Sequence, residues 1–388
     1  MLSALAVSNY RSLLNIVIPL GALNVISGPN GSGKSNLYRA LRLLAETSQG
    51  GVVNALAREG GLASAFWAGP ETISSRMKSG SVPVQGGPRS KPVRMGLGFS
   101  DEDFGYAISL GLPTPSRSRF SLDPEIKREC IWAGAVFRPA SLLVDRQGSV
   151  VRIRNGRKWD VLSQHISTFD SIFSQFADPT SAPEILTLRE KVRGWRFYDH
   201  FRTDEAAPAR LPQIGTRTPV LSHDGSDLAA ALQTIIEIGD GVALNEAIED
   251  AFPGATLEIE NQGEGRFAIR FFQKGLLRSL SAAELSDGTL RYILWIAALL
   301  TPRPPPLMIL NEPETSLHPD LLPALARLIV KASTQTQVWV VSHASRLLAA
   351  LSEHPGCQTI ALDKHFGETT IPGQGILDKP AWRWPEKI

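Results

Sequence analysis

A glycine-rich segment that ends in lysine and serine lies near the start of the chain and could bind phosphate. It matches the pattern GxxxxGK[ST] and reads Gly28-Pro29-Asn30-Gly31-Ser32-Gly33-Lys34-Ser35. Glycines allow backbone N–H groups to turn towards a β-phosphate, Lys34 reaches the β and γ oxygens, and the Ser35 hydroxyl ligates magnesium. We therefore predict that this loop binds a nucleoside triphosphate, ATP, together with Mg²⁺.

A second polar pair, Asn311 and Glu312, follows the apolar run Leu307–Leu310. In P-loop enzymes an aspartate after such a strand helps to hold the magnesium ion. Asn311 keeps the shape and one oxygen of an aspartate but lacks its charge, which removes an attraction of a few kcal/mol at an effective dielectric near 20. Glu312 leaves hydrolysis feasible, so the rate of turnover is the open question.

Two more segments could contact an anion. Ser286 is a candidate N-cap for the apolar helix 290–300, and Gly288 permits close backbone approach at its positively polarised start. His343 follows the buried strand 338–341, where an imidazole could sense a γ-phosphate. Alone, each segment is more typical of ordinary structure, a capped helix or a strand-end histidine. Their order after a phosphate loop favours the functional interpretation.

The elements that would position these residues follow from hydrophobic patterning. Strands are predicted at 5–7, 16–18 and 23–26, hairpins around 95–108 and 142–153, and strands at 257–259 and 267–271; a helix follows the phosphate loop, and residues 160–250 are mostly helical with prolines. The resulting division has four segments: 1–48 (strands, phosphate loop, first helix), 49–160 (loops and antiparallel hairpins), 161–280 (inserted helical lobe) and 281–388 (the apolar helix 290–300, the two strands with polar ends and the C-terminal tail).

Composition indicates a multi-lobed globular chain of 388 residues with 43% hydrophobic content. The formal net charge of +2 neither requires nor excludes nucleic acid. Cys130 and Cys357 have no companions at metal-ligand spacing, which favours a reduced, cytoplasmic setting. The longest apolar run, Tyr292–Leu300, is too short to cross a bilayer, and no export signal is apparent. We expect no membrane partner.

Five segments together carry a family resemblance: residues 9–13 (Asn-Tyr-Arg-Ser-Leu), 28–36, 285–291, 311–319 and His343. With them the chain resembles the ABC-type ATPase heads of the RecF, SMC and OLD group, especially its small bacterial predicted ATPases. The likeness covers the first 45 and last 110 residues. It implies an α/β P-loop NTPase with a mainly parallel core sheet, an antiparallel β lobe and an inserted helical lobe.

The resemblance also implies a homodimer that sandwiches two nucleotides between facing copies. In it Lys34, Glu312 and His343 are catalytic, Glu312 polarises the attacking water, and Ser35 and, through water, Asn311 hold Mg²⁺. Besides the phosphate loop, Asn36 and Arg11 would bind nucleotide. The signature residues presented to the other copy would be Ser286, Asp287 and Gly288. The loop at the dimer interface would be 316–318.

Three features depart from the family pattern. Asn311 replaces the usual aspartate, prolines between residues 160 and 250 exclude a long coiled-coil arm, and residues 344–388 leave no room for a nuclease domain of the OLD kind. The glutamine loop has no assignment, since Gln85 lies in a stretch without pattern.

Two basic stretches are candidate DNA contacts. They are residues 146–159, with Arg146, Arg152, Arg154, Arg157 and Lys158, and residues 189–217, with Arg193, Arg196, Arg202, Arg210 and Arg217 among aromatic residues. The second also carries acidic residues, so a salt-bridged lid fits equally well. Three hypotheses remain: an ATPase acting on DNA in repair or defence, a slow nucleotide switch that regulates an effector protein, and, least favoured, a transporter motor.

Overall fold

The computed structural model describes residues 1–70, 74–83, 93–114, 118–375 and 378–385. The chain divides into two compact units, each built from separate stretches of sequence. Unit 1 contains residues 1–21, 28–194 and 360–388, and unit 2 contains residues 22–27 and 195–359. The division into four consecutive segments stays a prediction, and Gln85 lies outside the described residues.

The strands are β1 (Leu2–Tyr10), β2 (Leu13–Pro19), β3 (Leu23–Ser27), β4 (Arg94–Asp101), β5 (Phe104–Gly111), β6 (Glu125–Ala133), β7 (Leu142–Gln147), β8 (Val150–Asn155), β9 (Lys158–Ser163), β10 (Arg196–Tyr198), β11 (Gln213–Ile214), β12 (Thr256–Asn261), β13 (Arg266–Phe272), β14 (Leu280–Ser281), β15 (Leu307–Asn311), β16 (Gln337–Val341), β17 (Cys357–Ala361), β18 (Asp363–His365) and β19 (Glu368–Thr370). The helices are α1 (Lys34–Thr47), α2 (Val52–Arg58), α3 (Leu62–Ala65), α4 (Ser75–Lys78), α5 (Ile172–Gln175), α6 (Pro183–Arg193), α7 (Leu228–Ile238), α8 (Gly241–Ala251), α9 (Asp287–Leu299), α10 (Leu322–Ser333) and α11 (Ser345–Ser352).

Unit 1 is built on an eight-stranded sheet of order β2-β1-β4-β5-β6-β7-β8-β9. Its neighbouring strands are all antiparallel, and the two predicted hairpins are confirmed as β4–β5 and β7–β8. The expected fold class is confirmed, with a parallel sheet and an antiparallel β lobe, although the antiparallel sheet is the larger of the two. The cause is long-range pairing such as Val7 opposite Leu97, which joins the N-terminal strands to the hairpins and leaves no local signal.

Arg146 was expected among exposed DNA contacts, and the structure corrects this. The side chain is fully buried, and its Nη1 lies 3.0 Å from Glu129 Oε2. Tyr106 also donates to Glu129, at 2.7 Å, so the buried carboxylate and guanidinium share one network within the sheet. The exposed basic residues that remain in β8, β9 and the turn between them are Arg152, Arg157 and Lys158.

Unit 2 contains the parallel strands. In the sheet of order β10-β15-β16-β3-β17, the pairs β10–β15, β15–β16 and β16–β3 are parallel. Residues 307–310 of β15 are fully buried, as expected for a parallel sheet covered on both faces. Helix α9 is buried along residues 290–299, which explains why its sequence is apolar all round rather than along one stripe. These strands and this helix form much of the core of unit 2.

Three of the four aromatic residues of the second basic stretch are core residues. Strand β10, which the sequence did not predict, pairs with β15, and Tyr198 within it is fully buried. Phe201 packs edge-on against Trp295 with ring centroids 4.8 Å apart. Trp195 is 4% exposed. Their rings therefore pack in unit 2 and are not available for stacking on bases.

Candidate functional site

The phosphate loop, residues 28–35, connects β3 to α1. Gly28, Gly31 and Gly33 have φ angles of 145°, 81° and 109°, which strain any residue with a side chain. A Cβ atom at Gly33 would lie 2.1 Å from Thr369 Oγ1, and one at Gly28 would lie 2.3 Å from the Leu362 carbonyl oxygen. Gly28 and Gly33 are therefore required both by the backbone conformation of the loop and by its close packing, and Gly31 by the backbone conformation alone.

Lys34 folds back over this loop. Its Nζ donates to the carbonyl oxygens of Gly28 at 2.6 Å and Pro29 at 3.1 Å, and the residue is only 7% exposed. Ser35 is exposed in the first turn of α1, where its hydroxyl is a hard oxygen donor of the kind Mg²⁺ accepts. No side chain caps the start of α1, so its first N–H groups remain suited to an anion.

Two hydroxyl residues outside the loop hold it in place. Thr369 Oγ1 donates to the Ser32 carbonyl at 2.8 Å and lies 2.6 Å from Ser12 Oγ. The Asn36 side-chain amide donates to the same Ser12 hydroxyl at 2.8 Å. Thr369 is 2% exposed and belongs to the β18–β19 hairpin. The C-terminal hairpin thus supports the phosphate loop of unit 1.

We expect Thr369→Val to weaken ATP binding about tenfold and to lower the free energy of unfolding by about 1–2 kcal/mol, because two buried hydrogen-bonding groups lose their partner. Titration with a fluorescent ATP analogue and thermal unfolding measure the two effects. Thr370→Val is the matched control, since adjacent strand residues point to opposite faces. An unchanged ATP affinity in Thr369→Val would contradict the supporting role.

Arg11, expected to bind nucleotide, is engaged by an acidic residue. Its Nη2 lies 2.9 Å from Glu59 Oε2, and Tyr10 donates to the same carboxylate oxygen at 2.7 Å. Burial and the neighbouring Glu59 carboxylate raise the pKa of Tyr10. A nucleotide would have to compete with Glu59 for Arg11, and contact between Arg11 and nucleotide stays a prediction.

In unit 2 the parallel strands end at the same level. Asn311, the last residue of β15, lies opposite Val341, the last residue of β16. The Ser342 N–H donates to the Ile26 carbonyl of β3 at 3.1 Å. Because the carboxyl ends of parallel strands form the usual ligand-binding edge of an α/β sheet, residues just beyond these ends are well placed for chemistry.

Glu312 and His343 lie together at this edge. His343 Nδ1 is 3.6 Å from Glu312 Oε1 and 3.5 Å from Glu314 Oε1. The side chains of Glu312 and His343 are 47% and 54% exposed, whereas that of Glu314 is 6% exposed. Glu312 has a φ of 50°, an uncommon backbone conformation for a non-glycine residue. The edge thus presents one accessible carboxylate and one accessible imidazole.

The predicted N-cap of the signature helix is confirmed. Ser286 Oγ accepts a hydrogen bond from the Thr289 N–H at 3.1 Å, and α9 begins at Asp287. Asp287, whose side chain is 62% exposed, lies 2.6 Å from Arg210 Nη2. Arg210 Nη1 also donates to the Leu285 carbonyl at 2.7 Å, and its side chain is 8% exposed. Arg210, a candidate DNA contact from sequence, instead holds the signature segment.

The signature helix also contacts the turn that follows β15. A Cβ atom at Gly288 would lie 3.0 Å from the Ser316 carbonyl oxygen. Arg291 Nη1 donates to the Thr315 carbonyl at 2.8 Å, and its Nη2 donates to the Phe201 carbonyl at 3.0 Å. Burial lowers the pKa of the Arg291 guanidinium. A shift of this turn would therefore displace the start of α9.

Sequence reasoning named the exposed site residues and missed those that hold them. The missed residues are Ser12, Arg210, Glu314 and Arg291, which lie inside motifs or stretches singled out for other reasons, and Thr369, which lies in no motif. The usable signal for Glu314 was its place directly after Pro313, two residues beyond Glu312. For Thr369 no local signal exists, because its partners are more than 300 residues away along the chain.

The parallel sheet, the phosphate loop, the capped signature helix and the Glu312–His343 pair define a P-loop ATPase of the ABC head type. A family described as "AAA domain, putative AbiEii toxin, Type IV TA system" matches residues 23–349. The match spans most of the chain, and the chain belongs to this family. The family and the fold together confirm the expected membership of the RecF, SMC and OLD group of ATPase heads.

Known proteins resemble the chain either in a short stretch of sequence or in fold. The OLD nuclease of Thermus scotoductus is 50% identical over 44 residues, which are 11% of this chain and 8% of that protein. The chain is similar in fold to an Smc head bound to the C-terminal winged-helix domain of ScpA, with a TM-score of 0.50, 12% identity and coverage of 97% and 98% of the two chains. The SMC head domain from Thermotoga maritima gives a TM-score of 0.49, 14% identity and coverage of 97% and 99%.

Two features are absent from the described part of the chain. Within the described ranges, no helix has the length and apolar character needed to span a bilayer. The same residues contain no cluster of three or more His, Cys, Asp or Glu side chains arranged as a metal site.

Proposed function

We propose that the chain binds and hydrolyses ATP, forms a head-to-head dimer when ATP binds, and acts in DNA repair or in defence against phages and plasmids. The observation that carries this proposal is the Glu312–His343 pair beyond the level ends of β15 and β16. A chain whose loop served only to bind nucleotide would not need an accessible carboxylate there. A cytoplasmic setting is part of the proposal and agrees with the free thiols of Cys130 and Cys357.

Residues 28–36 are proposed to hold the triphosphate. Backbone N–H groups of the loop and the open start of α1 would bind phosphate oxygens, and Lys34 would exchange the carbonyl oxygens of Gly28 and Pro29 for them. Ser35 and, through water, Asn311 would hold Mg²⁺, which supplies positive charge to the phosphate oxygens. The oxygen chemistry of both side chains fits that ion.

Glu312 is proposed to accept a proton from the attacking water, and His343 to contact the γ-phosphate. An exposed carboxylate is available to water, and the neighbouring imidazole is a donor suited to phosphate oxygens. Gly28 directly follows β3, whose end is level with those of β15 and β16. Chain connectivity therefore supports action of these residues on a nucleotide bound by the loop.

The second copy is proposed to complete the site. Ser286 and Gly288 stand at the N-terminus of α9, and Asp287 is held by Arg210. The positive end of the helix dipole at this N-terminus would bind the γ-phosphate of ATP held by another copy. Residues 316–318, in the turn that contacts Gly288 through Ser316, would lie at the dimer interface. For DNA, the exposed side chains Arg152, Arg157 and Lys158 supply positive charge.

ATP turnover and molecular mass, measured with and without duplex and single-stranded DNA, test the proposal. We expect turnover that DNA stimulates and a mass that doubles with ATP. A wild-type protein that neither hydrolyses ATP nor dimerises would overturn the proposal. Turnover that is indifferent to DNA would favour the second candidate, a slow switch that regulates an effector protein; the missing charge at Asn311 is the observation that favours it.

We expect Asn311→Asp to raise turnover about 10- to 100-fold and to lower the Mg²⁺ concentration needed for half-maximal rate. A restored carboxylate adds attraction for the divalent ion of a few kcal/mol at an effective dielectric near 20, before solvation offsets it. Steady-state rates over a Mg²⁺ titration measure both effects. Asn261→Asp, at an exposed position at the end of β12, is the matched control. An unchanged rate and Mg²⁺ dependence would show that Asn311 does not limit turnover.

A further inference from the structure

Glu314 is a buried carboxylate at the edge that bears Glu312 and His343. The residue is 8% exposed. Its Oε1 accepts hydrogen bonds from Ser342 Oγ at 2.7 Å, from the His343 N–H at 3.0 Å and from the Ala344 N–H at 3.2 Å. One carboxylate oxygen therefore holds three successive residues that leave β16.

The turn that carries Glu314 is itself held firmly. The Thr315 N–H donates to the Glu312 carbonyl at 3.0 Å, and the Leu317 N–H donates to the Glu314 carbonyl at 3.0 Å. The Glu312 N–H donates to the Val341 carbonyl at 2.8 Å. Glu314 thus connects a defined turn after β15 to the turn after β16, and a displacement of its side chain would free the backbone of His343.

Satisfying two N–H groups does not require a charge. A neutral amide or hydroxyl could accept the same hydrogen bonds at a smaller desolvation cost. The cost is increased because Glu314 Oε2 is buried and has no hydrogen-bond partner among the described residues. The feature that a carboxylate adds is electrostatic: His343 Nδ1 lies 3.5 Å from Glu314 Oε1 on one side and 3.6 Å from Glu312 Oε1 on the other.

We propose that Glu314 is a positioning residue that sets the backbone and ring orientation of His343 and acts on ATP hydrolysis through it. The inference rests on the proposed function, since it assigns a means of orienting His343 during turnover. Glu314 itself touches neither nucleotide nor water in this scheme. Its effect is to keep the imidazole beside Glu312, and misplacement of a contacting group by about 1 Å costs on the order of 100-fold in rate.

A double-mutant cycle tests the proposal. Glu314→Ala is expected to lower kcat about 10- to 100-fold with KM for ATP changed less than about threefold. In a His343→Ala background the same substitution is expected to change kcat less than about twofold, because its target is gone. Glu314→Gln keeps an acceptor for the three donors and is expected to restore the melting temperature but only part of kcat. Glu353→Ala, at an exposed position that ends α11, is the matched control.

Hydrogen exchange measures the same contact without turnover. The His343 and Ala344 amides are expected to exchange faster in Glu314→Ala than in the wild type. Ser342→Ala removes one hydrogen-bond donor and leaves the carboxylate in place. It serves as a second variant in case Glu314→Ala does not fold. Independent, additive losses of kcat in the cycle, or unaltered kcat with an active wild type, would overturn the positioning role alone. Absence of ATP turnover in the wild type would overturn the proposed function and, with it, the role of Glu314 in turnover.

Discussion

Glu312→Gln is expected to lower kcat for ATP hydrolysis at least about 100-fold while ATP binding persists. The side chain is accessible, lies just beyond β15 and is placed to accept a proton from water, a contribution that general bases commonly make at 100- to 10,000-fold. Glutamine has nearly the same shape as glutamate, so the variant removes the basic oxygen with little change in packing. The side chain can also stay beside His343, whose Nδ1 lies 3.6 Å from Glu312 Oε1.

Single-turnover and steady-state rates measure this effect, and nucleotide titration measures binding. The variant is also expected to accumulate as the ATP-bound dimer, since hydrolysis no longer returns it to the monomer, and light scattering detects the mass. Glu258→Gln, at an exposed position in β12, controls for loss of one surface charge. A Glu312→Gln protein that turns over ATP within about threefold of the wild type would remove Glu312 from the catalytic role.

Lys34→Ala is expected to weaken ATP binding at least about 100-fold, and turnover would fall with it. Lys34 is 7% exposed, and within the described part of the chain its ammonium group donates hydrogen bonds to the carbonyl oxygens of Gly28 and Pro29. A triphosphate bound at that position would accept a charge-assisted hydrogen bond from Lys34, which is stronger than a hydrogen bond between neutral groups. The Lys34 side chain would lose little conformational freedom, because it is already held. Alanine removes both the charge and the donors.

Calorimetric titration with ATP and Mg²⁺ measures this affinity, and thermal unfolding shows whether the loop survives the change. Lys331→Ala, in the last turn of α10, serves as the control for loss of a lysine elsewhere. Full ATP affinity in Lys34→Ala would place the nucleotide away from residues 28–35 and contradict the central claim about this loop.

Several elements were predictable from sequence because they depend on neighbouring residues. The phosphate loop, the buried strands β3, β15 and β16, and the Ser286 cap each follow from side-chain types within a few positions. Hydrophobic runs identify buried strands, glycines mark positive φ, and a hydroxyl at a helix start accepts a free N–H. The order of these elements was then sufficient to indicate an ABC-type head.

Other features depended on residues far apart in the chain. The sheet of eight antiparallel strands arises from pairings such as β1 with β4, and the burial of Arg146 arises from its pairing with Glu129. The burial of Arg146 reversed an expectation drawn from local pattern, because a basic strand in isolation resembles a solvated one. For the aromatic residues around β10, local pattern left a DNA contact and a salt-bridged lid equally open, and folding buries Trp195, Tyr198 and Phe201 in the core.

The sequence by itself thus determined which residues can do the chemistry: a loop for phosphate, Glu312, His343 and a capped helix start. Only the tertiary structure decided what holds them, namely Thr369 beneath the loop, Arg210 at the signature segment and Glu314 behind His343. The physical reason is that a reactive group is marked by its own type and immediate neighbours. A supporting group is marked only by a hydrogen bond or ion pair that folding creates between distant parts of the chain.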